Sequence, residues 1–388
     1  MSTALRIGLV GAGFLAATRA RCYARVHGGP VVLQAVCARG AASARAFAER
    51  HGVAASVASA EALFARRDID LVELCVPNAL HQPLAVAALA AGKHVVCTKP
   101  LSAYVGQDLA AGASEEAVAT RDPETMLAIA TAEADAMLAA ARSSGKRLFY
   151  AESWLFAPAF QKALALGAAA GSRALELRGW ETHSGSHAPA SREWRLTGGG
   201  ALLRLGAHAI GAMLHWKHAE GVRLGGRPVR VVAVTGEVAD PRASGLSVES
   251  WGCAILHFDD GSRGVVYGSD LSASGMQSRL ELRGEGWQLE CNLSPHDQLR
   301  AFAASDGAFP GQYLQEKLAT QAGWSTPLPD EDWSSGQQAM CQAFCDALRS
   351  ASDSIATAAL GREVVRVIYA AYASARLGRR IALPILRE

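Results

Sequence analysis

The amino-acid sequence predicts an α/β protein of two domains, with a doubly wound parallel sheet in residues 1–150 and an open, mostly antiparallel sheet in residues 151–388. Three observations indicate this fold. Short apolar runs alternate with Ala-rich helical stretches along the first domain, which is typical of a parallel sheet wrapped by helices. A glycine-rich turn joins the first run to the first helical stretch. Beyond residue 150 the apolar runs occur in pairs joined by short Gly-containing turns, which favours antiparallel pairing.

Each element of the first domain has its own signal. The apolar runs are rich in Val, Leu, Ile and Cys, as expected for strands buried on both faces, and they predict strands at 5–10, 31–37, 71–76, 94–97 and 147–151. Helices are predicted at 14–26, 41–51, 60–66, 82–91 and 124–142. Asp122 and Pro123 suit the start of the last helix as cap and first-turn residue. The polar stretch 104–122 before this helix is predicted to be an insertion.

The second domain is predicted from two hairpin signals. Residues 251–258 and 263–268 are joined by the turn D-D-G-S, and residues 279–283 and 287–292 are joined by G-E-G. An open antiparallel sheet packs one face against helices and leaves the other face free for a partner or a ligand. Two helices at about 336–351 and 356–377 are predicted to close the chain.

Composition and charge exclude several classes of protein. Hydrophobic residues make up 50% of the 388 residues and charged residues 19%, which excludes a disordered or collagen-like chain. The net charge is only +2, so neither a nucleic-acid partner nor a membrane surface is expected. The chain begins with a strand rather than a signal peptide, and its 8 cysteines include no C-x-x-C pair. We therefore expect a cytoplasmic protein with reduced thiols.

The glycine-rich turn carries a dinucleotide-binding pattern. Residues 11–16 read G-A-G-F-L-A and fit G-x-G-x-x-G/A, in which the first glycine makes the turn and the second lets the backbone approach a pyrophosphate. The pyrophosphate would lie at a helix N-terminus, where free N–H groups favour an anion. At the end of the second strand, Arg39 stands where an acidic residue would hold the ribose of NAD. Arg39 could pair with the 2′-phosphate of NADP or stack on the adenine of either cofactor, so NADP is favoured and NAD stays possible.

Further segments carry a resemblance to a known family. Residues 75–81 read C-V-P-N-A-L-H, residues 92–101 read G-K-H-V-V-C-T-K-P-L, and residues 198–208 read G-G-G-A-L-L-R-L-G-A-H. With the glycine turn and the closing residues 371–380, they resemble the Gfo/Idh/MocA family of glucose–fructose oxidoreductase and inositol dehydrogenase. The chain departs from the family at Thr98, where Glu is usual, at Arg204, where Asp is usual, and at Gly211, where a second Asp often appears.

The resemblance implies a Rossmann domain followed by an α/β domain with an open sheet. It implies reversible hydride transfer between a nicotinamide and a hydroxyl-bearing carbon of a sugar-like polyol or sugar acid, catalysed by Lys99 and His208. The aspartate that often partners the family's histidine has no equivalent here. Family members form dimers or tetramers through the open sheet, so a homodimer or homotetramer is expected. The predicted cofactor contacts are Gly11, Gly13, Phe14, Leu15, Arg39, Val76, Pro77, Asn78, His81, Lys99 and Pro100, and the predicted substrate contacts are Lys99, Glu152, Trp154, His183, Arg204 and His208.

The chemistry of Lys99 agrees with this prediction. Lys99 follows a parallel strand, at the edge of the sheet where open α/β proteins bind ligands. Burial beside a cationic nicotinamide would favour a neutral lysine, which can accept the proton of a hydroxyl group. Two alternatives stay open. One is a redox-neutral enzyme that keeps its cofactor and oxidises the substrate transiently to allow elimination or glycoside cleavage. The other is a non-catalytic sensor on the same scaffold.

Arg204 has two interpretations. Because it precedes His208 by four residues, we expect both side chains on one helix face. Its guanidinium either binds a carboxylate of the substrate, as in a sugar acid, or forms an internal ion pair with Glu152 or Glu181. A metal is not expected, because Glu181, His183 and His187 lie in a strand and loop, and no Cys or Asp completes a ligand set.

Overall fold

The first domain contains the predicted five-stranded parallel sheet. The computed structural model describes residues 4–186, 188–241, 246–273, 275–294, 299–314, 316–318 and 320–384. The strand order is β2-β1-β3-β4-β5. The strands are β1 (Leu5–Val10), β2 (Val31–Cys37), β3 (Leu71–Leu74), β4 (His94–Thr98) and β5 (Leu148–Ala151). The strands β3 and β4 are buried along nearly their whole length, which explains their continuous apolar sequence.

Helices connect these strands. They are α1 (Phe14–Ala24), α2 (Ala41–His51), α3 (Ala60–Phe64), α4 (His81–Ala90), α5 (Glu115–Ala119) and α6 (Pro123–Ser144). The start of α6 is as predicted, since the Asp122 carboxylate accepts the Thr125 backbone N–H at 2.8 Å. Because all five strands are parallel, the loops that leave their C-terminal ends share one edge of the sheet. The segments after β1, β4 and β5 therefore come together, and they carry most of the predicted site residues.

The second domain contains a seven-stranded mixed sheet of order β11-β10-β6-β9-β8-β7-β14. Within this sheet, as far as its residues are described, the β6–β9 pair is parallel and every other strand pair is antiparallel. The strands are β6 (Ala174–Thr182), β7 (Val231–Val238), β8 (Trp251–Phe258), β9 (Arg263–Ser269), β10 (Gln277–Gly284), β11 (Trp287–Asn292) and β14 (Ile381–Ala382). Both predicted hairpins are confirmed, as β8–β9 and β10–β11.

Helix α9 (Ala207–Gly225) packs closely on β6 at a glycine. A Cβ atom on Gly179 would come within 2.8 Å of the Cβ of Ala209, so only glycine allows this approach. The close packing brings the start of α9, with His208, next to Glu181 near the end of β6. Smaller elements complete the domain: α7 (Pro158–Ala170), α8 (Trp194–Thr197), β12 (Ala301–Ala303), β13 (Gly323–Ser325) and α10 (Glu331–Ser334).

The predicted insertion at 104–122 joins the two domains. The Glu115 carboxylate accepts hydrogen bonds from the backbone N–H of Trp194 and from the Ser247 hydroxyl, the latter at 2.6 Å. The backbone N–H of Tyr104 donates to the Tyr369 hydroxyl at 2.7 Å, and the Trp194 indole N–H donates to the Tyr104 carbonyl at 3.1 Å. The insertion therefore braces the loop that precedes the glycine triplet at 198–200.

The two closing helices also bridge the domains. They are α11 (Gln337–Ser350) and α12 (Ala358–Leu377), close to their predicted bounds. Helix α11 packs on α1, while α12 packs on both α6 and β7. Behind the glycine turn, the buried Arg19 guanidinium pairs with Glu73 at 2.8 Å and bonds to Gln337 of α11. Within the described residues, no helix has the length and apolar character needed to cross a bilayer.

Candidate active site

The glycine turn after β1 has the geometry that a dinucleotide needs. Gly11 has a φ of +110°, and a Cβ atom there would lie 2.1 Å from the Cys75 carbonyl oxygen, so this position requires glycine. Gly13 caps α1 without a side-chain hydrogen bond, and a Cβ atom on it would meet nothing within 4 Å. The first-turn N–H groups of α1 therefore face open space, where a pyrophosphate fits.

Two side chains after β3 tie the neighbouring loops together. The buried His81 ring places Nδ1 2.8 Å from the Pro100 carbonyl and Nε2 3.1 Å from the Val76 carbonyl. The Asn78 amide donates to the Thr197 carbonyl at 2.7 Å. The sequence predicts both as cofactor contacts. In the structure His81 links the loops at Val76 and Pro100, and the Asn78 amide links its loop to Thr197.

Lys99 lies at the C-terminal end of β4, as predicted, and is part-buried. Its ammonium donates a hydrogen bond to the backbone carbonyl of Arg204. Burial lowers the pKa of Lys99, although the charges of Glu181 and Glu152 oppose this. The lysine therefore reaches its neutral form more easily than an exposed lysine does.

His208 has a carboxylate partner that the sequence analysis did not find. Its Nδ1 lies 2.6 Å from Oε1 of Glu152, which follows β5 and is fully buried. On the other side, its Nε2 lies 4.0 Å from Oε2 of Glu181. The Trp154 ring stacks on the imidazole, with centroids 5.5 Å apart and planes 11° apart. Glu152 and Trp154 therefore hold this ring, although the aspartate expected from the family resemblance is absent.

Arg204 does not share a helix face with His208 in the predicted way. Residues Leu202–Gly206 form a π-helical turn before α9 begins, so the spacing of an α-helix does not apply. The Arg204 guanidinium pairs with Asp270, directly after β9. A Cβ atom on Gly268 would lie 2.8 Å from the Ala201 carbonyl oxygen, so the glycine lets β9 approach this turn. The internal ion pair therefore exists, but its partner is neither Glu152 nor Glu181.

His183 lies beside this ion pair. The side chain is buried, its Nδ1 accepts the Gly185 backbone N–H at 3.0 Å, and the same atom is 3.8 Å from Oδ1 of Asp270. His187 lies outside the described residues. In the part of the chain that is described, no group of three or more His, Cys, Asp or Glu side chains could hold a metal ion.

Sequence reasoning did not identify Glu181 or Asp270 as a residue of the active site. Both carboxyl groups have pKa values raised by burial, which the positive charge of Lys99 opposes in each case. The strand pattern could have indicated Glu181, because it alternates in register with Leu177 and Gly179 on the buried face of β6. A carboxylate at such a position is rarely buried without a functional or electrostatic reason. No local signal marks Asp270.

A cavity of about 520 Å³ lies beside the glycine turn. Phe14 lines it from the first domain, and Tyr313, Glu316 and Lys317 line it from the second. Glu316 acts electrostatically on Lys99, and Lys317 acts on Asp270. Two residues that line the cavity therefore also act on the charges of the site.

Comparison with known proteins identifies the family. The N-terminal domain described as "Oxidoreductase family, NAD-binding Rossmann fold" matches residues 5–120, and the GFO/IDH/MocA C-terminal domain matches residues 175–290. The chain belongs to the GFO/IDH/MocA family. The family resemblance, the fold class and the nicotinamide-binding Rossmann domain expected from the sequence are thus confirmed.

Two curated relatives of this GFO/IDH/MocA chain are named for reactions of sugars. The chain is 45% identical over 102 residues to dTDP-3,4-didehydro-2,6-dideoxy-alpha-D-glucose 3-reductase of Streptomyces violaceoruber, covering 26% of this chain and 29% of that protein. It is 32% identical over 104 residues to levoglucosan dehydrogenase of Pseudarthrobacter phenanthrenivorans, covering 25% of this chain and 27% of that protein. The matches therefore span less than a third of these relatives.

The fold extends over the whole chain. The crystal structure of GenD2 from gentamicin A biosynthesis in complex with NAD superposes with a TM-score of 0.81, covering 99% of this chain and 97% of that one at 24% sequence identity. Two of the departures predicted from the resemblance have a structural counterpart: Arg204 pairs with Asp270, and Gly211 lies where an added Cβ atom would contact Glu152.

Proposed function

We propose that this GFO/IDH/MocA protein is an NAD(P)-dependent oxidoreductase acting on a neutral, sugar-like polyol. The observation that carries the proposal is the convergence of Lys99 and the Glu152–His208 pair at the edge of the sheet that also holds the open glycine turn. These groups supply a base and a hydrogen-bonding imidazole at the C-terminal ends of β4 and β5, where open α/β sheets bind ligands.

Each residue has a role in the oxidation of a carbinol. Neutral Lys99 accepts the hydroxyl proton as the carbon–oxygen double bond forms, and it donates this proton in the reverse reaction. His208 accepts a hydrogen bond through Nε2 from a neighbouring hydroxyl of the polyol and so holds the substrate beside the lysine. The Gly11–Ala16 turn holds the pyrophosphate, with Phe14 and Leu15 after the second glycine and Val76 and Pro77 on the adjacent loop. A bound nicotinamide supplies the acceptor for the hydride.

The proposal is tested by net turnover of the cofactor. Purified protein is mixed with NAD⁺ or NADP⁺ and a panel of neutral hexoses, anhydrosugars and cyclitols, and reduced nicotinamide is followed by absorbance. We expect steady formation of reduced cofactor with at least one neutral polyol. Substrate conversion without net formation of reduced cofactor would instead support the redox-neutral alternative. Cofactor binding without any conversion would support the sensor.

A neutral substrate is favoured over a sugar acid because Arg204 is already paired with Asp270. We expect the kcat/KM of the wild type to be higher for an aldose or polyol than for the corresponding sugar acid. The Asp270→Asn variant releases the guanidinium, so it should raise the relative kcat/KM of the acid by about tenfold, the worth of one charge-assisted hydrogen bond. A wild-type preference for acids would show that Arg204 anchors substrate after all.

The finer proposal for the cofactor is a preference for NADP. Arg39 is exposed two residues after the end of β2, and among the described residues no salt bridge involves its guanidinium. We expect Arg39→Ala to weaken binding of NADP⁺ about tenfold or more and binding of NAD⁺ much less, because only NADP⁺ has a 2′-phosphate for the guanidinium fork. Arg50→Ala, at the exposed far end of α2, is the matched control. Fluorescence titration gives both dissociation constants, and an equal loss for both cofactors contradicts the preference.

We further propose a homodimer or homotetramer assembled through the seven-stranded sheet. The sheet face opposite α9 carries partly exposed apolar side chains, including Ile255 and Val265, each with 38% of its surface exposed, and Leu175 with 57%. Apolar patches of this kind support a protein interface.

The eight cysteines are all free thiols, which supports the proposal of a reducing, cytoplasmic location.

A further inference from the structure

We propose that Glu152 is the positioning residue of His208, a role that the family's usual aspartate does not fill in this chain, and that Gly211 is the position that makes room for it. This proposal rests on the proposed function, because His208 must act on substrate for its orientation to matter. The sequence predicts Glu152 as a substrate contact, whereas its bond to His208 points to a different task.

The Glu152 carboxylate contacts both the His208 ring and the turn that follows β5. Oε1 of Glu152 accepts from the imidazole Nδ1 at 2.6 Å and from the Trp154 backbone N–H at 3.2 Å. The second bond fixes the carboxylate to the turn after β5, and Trp154 in the same turn stacks on the imidazole face. Residues 152–154 therefore hold one nitrogen and one face of the His208 ring at once.

The contact with Glu152 sets which nitrogen of the His208 ring carries the proton. An ionised carboxylate only accepts hydrogen bonds, so Glu152 requires the proton of a neutral imidazole to sit on Nδ1. The lone pair is then on Nε2, which is the nitrogen directed toward Glu181 at 4.0 Å and away from Glu152. Removing the carboxylate leaves both tautomers and other ring orientations accessible, and the productive arrangement becomes one among several.

Gly211 lies three residues after His208 on α9. A Cβ atom at Gly211 would lie 3.2 Å from Cγ and 3.5 Å from Oε2 of Glu152. An added Cβ atom at 211 is already in tight contact with Glu152, so a larger side chain there would press on the carboxylate that holds the imidazole. In a helix, residues three apart are neighbours on one face, so a short acidic side chain at 211 can approach His208 once the side chain at 152 is removed.

This contact suggests a relocation experiment with three variants. Glu152→Gln keeps the shape and loses the charge, Glu152→Ala removes the carboxylate, and Glu152→Ala combined with Gly211→Asp supplies it from the helix. We expect the first two to lower kcat about 10–100-fold, the usual effect of losing a partner that orients a histidine. The KM of the polyol and the cofactor affinity should change less than about threefold, since a positioning residue acts through His208 and not on either ligand.

The double variant is expected to recover at least about tenfold in kcat over Glu152→Ala, whereas Gly211→Asp alone should lower activity because two carboxylates then occupy one space. Thermal unfolding of each variant checks the fold, and the near-isosteric Glu152→Gln keeps the test informative if the Ala variant is unstable. Full activity of Glu152→Gln would overturn the proposal. A raised KM with unchanged kcat would also overturn it and make Glu152 a substrate contact.

A readout independent of activity separates this proposal from the proposed function. In protein with ¹⁵N-labelled histidine, the ring nitrogens of His208, assigned by comparison with His208→Asn, should report the Nδ1–H tautomer in the wild type. In Glu152→Ala a mixture of tautomers is expected, and in the double variant the Nδ1–H form should return. If these shifts occur but no polyol is oxidised, the proposed function fails while the positioning role stands. An unchanged tautomer in Glu152→Ala contradicts the positioning role.

Discussion

Replacing Lys99 by methionine is expected to lower kcat about 10²–10⁴-fold, the usual contribution of a general acid–base group, while the affinity for cofactor stays nearly unchanged. Methionine keeps the length of the side chain and removes the group that exchanges a proton with the substrate hydroxyl. The effect should appear in kcat and in kcat/KM alike, because the lost interaction belongs to the transition state. Steady-state kinetics with the best polyol, together with cofactor titration, measures both quantities.

Lys162→Met is the matched control, since Lys162 is an exposed residue of α7. It should keep wild-type kinetics. Near-full activity of Lys99→Met would contradict the assignment of Lys99 as the base and leave His208 as the group that exchanges the proton.

The pH dependence of the wild type should follow from the state of Lys99. Burial lowers its pKa from the 10.5 of an ordinary lysine. Oxidation needs the neutral amine, so kcat/KM in this direction should rise with pH and level off below pH 10.5. Reduction needs the ammonium and should fall over the same range. In Lys99→Met this limb should be absent from the residual activity.

Local sequence signals were sufficient for most of the fold. Continuous Val, Leu and Ile runs identify buried parallel strands, and the D-D-G-S turn at 259–262 identifies the β8–β9 hairpin because such turns specify their own conformation. The resemblance that points to Lys99 also rests on residues close in sequence, at 92–101, which form one strand and one turn. In each of these cases the residues that carry the information are close along the chain.

The partners in the site could not be found in this way. Glu152 and His208 are 56 positions apart, and Arg204 and Asp270 are 66 apart. Each pair depends on how α9 packs on β6 and how the turn before α9 meets β9. The π-helical turn at Leu202–Gly206 also changes where Arg204 lies, although the sequence there reads as ordinary helix. Glycines at 179, 268 and 211 permit these approaches, but a sequence does not say what a missing side chain makes room for.

The strongest effect on cofactor binding is expected from Gly13→Val. The second glycine of the turn lies where the backbone approaches a pyrophosphate, so a valine there should raise the dissociation constant of either nicotinamide dinucleotide at least about 100-fold. The fold should tolerate the change, because Gly13 has an extended φ of −94° and a Cβ atom on it meets no protein atom within 4 Å. We therefore expect the free energy of unfolding of the cofactor-free protein to fall by less than about 1 kcal/mol.

Gly11→Val distinguishes a lost binding site from a lost fold. At Gly11 the φ of +110° and the Cys75 carbonyl 2.1 Å from an ideal Cβ leave no room for a side chain even without a ligand. This variant should therefore lower the free energy of unfolding by roughly 2 kcal/mol or more. Denaturant unfolding and cofactor titration are measured for both variants. If Gly13→Val binds cofactor like the wild type, the space beside Gly13 does not hold the pyrophosphate. If it unfolds as readily as Gly11→Val, the glycine at 13 serves the fold rather than the ligand.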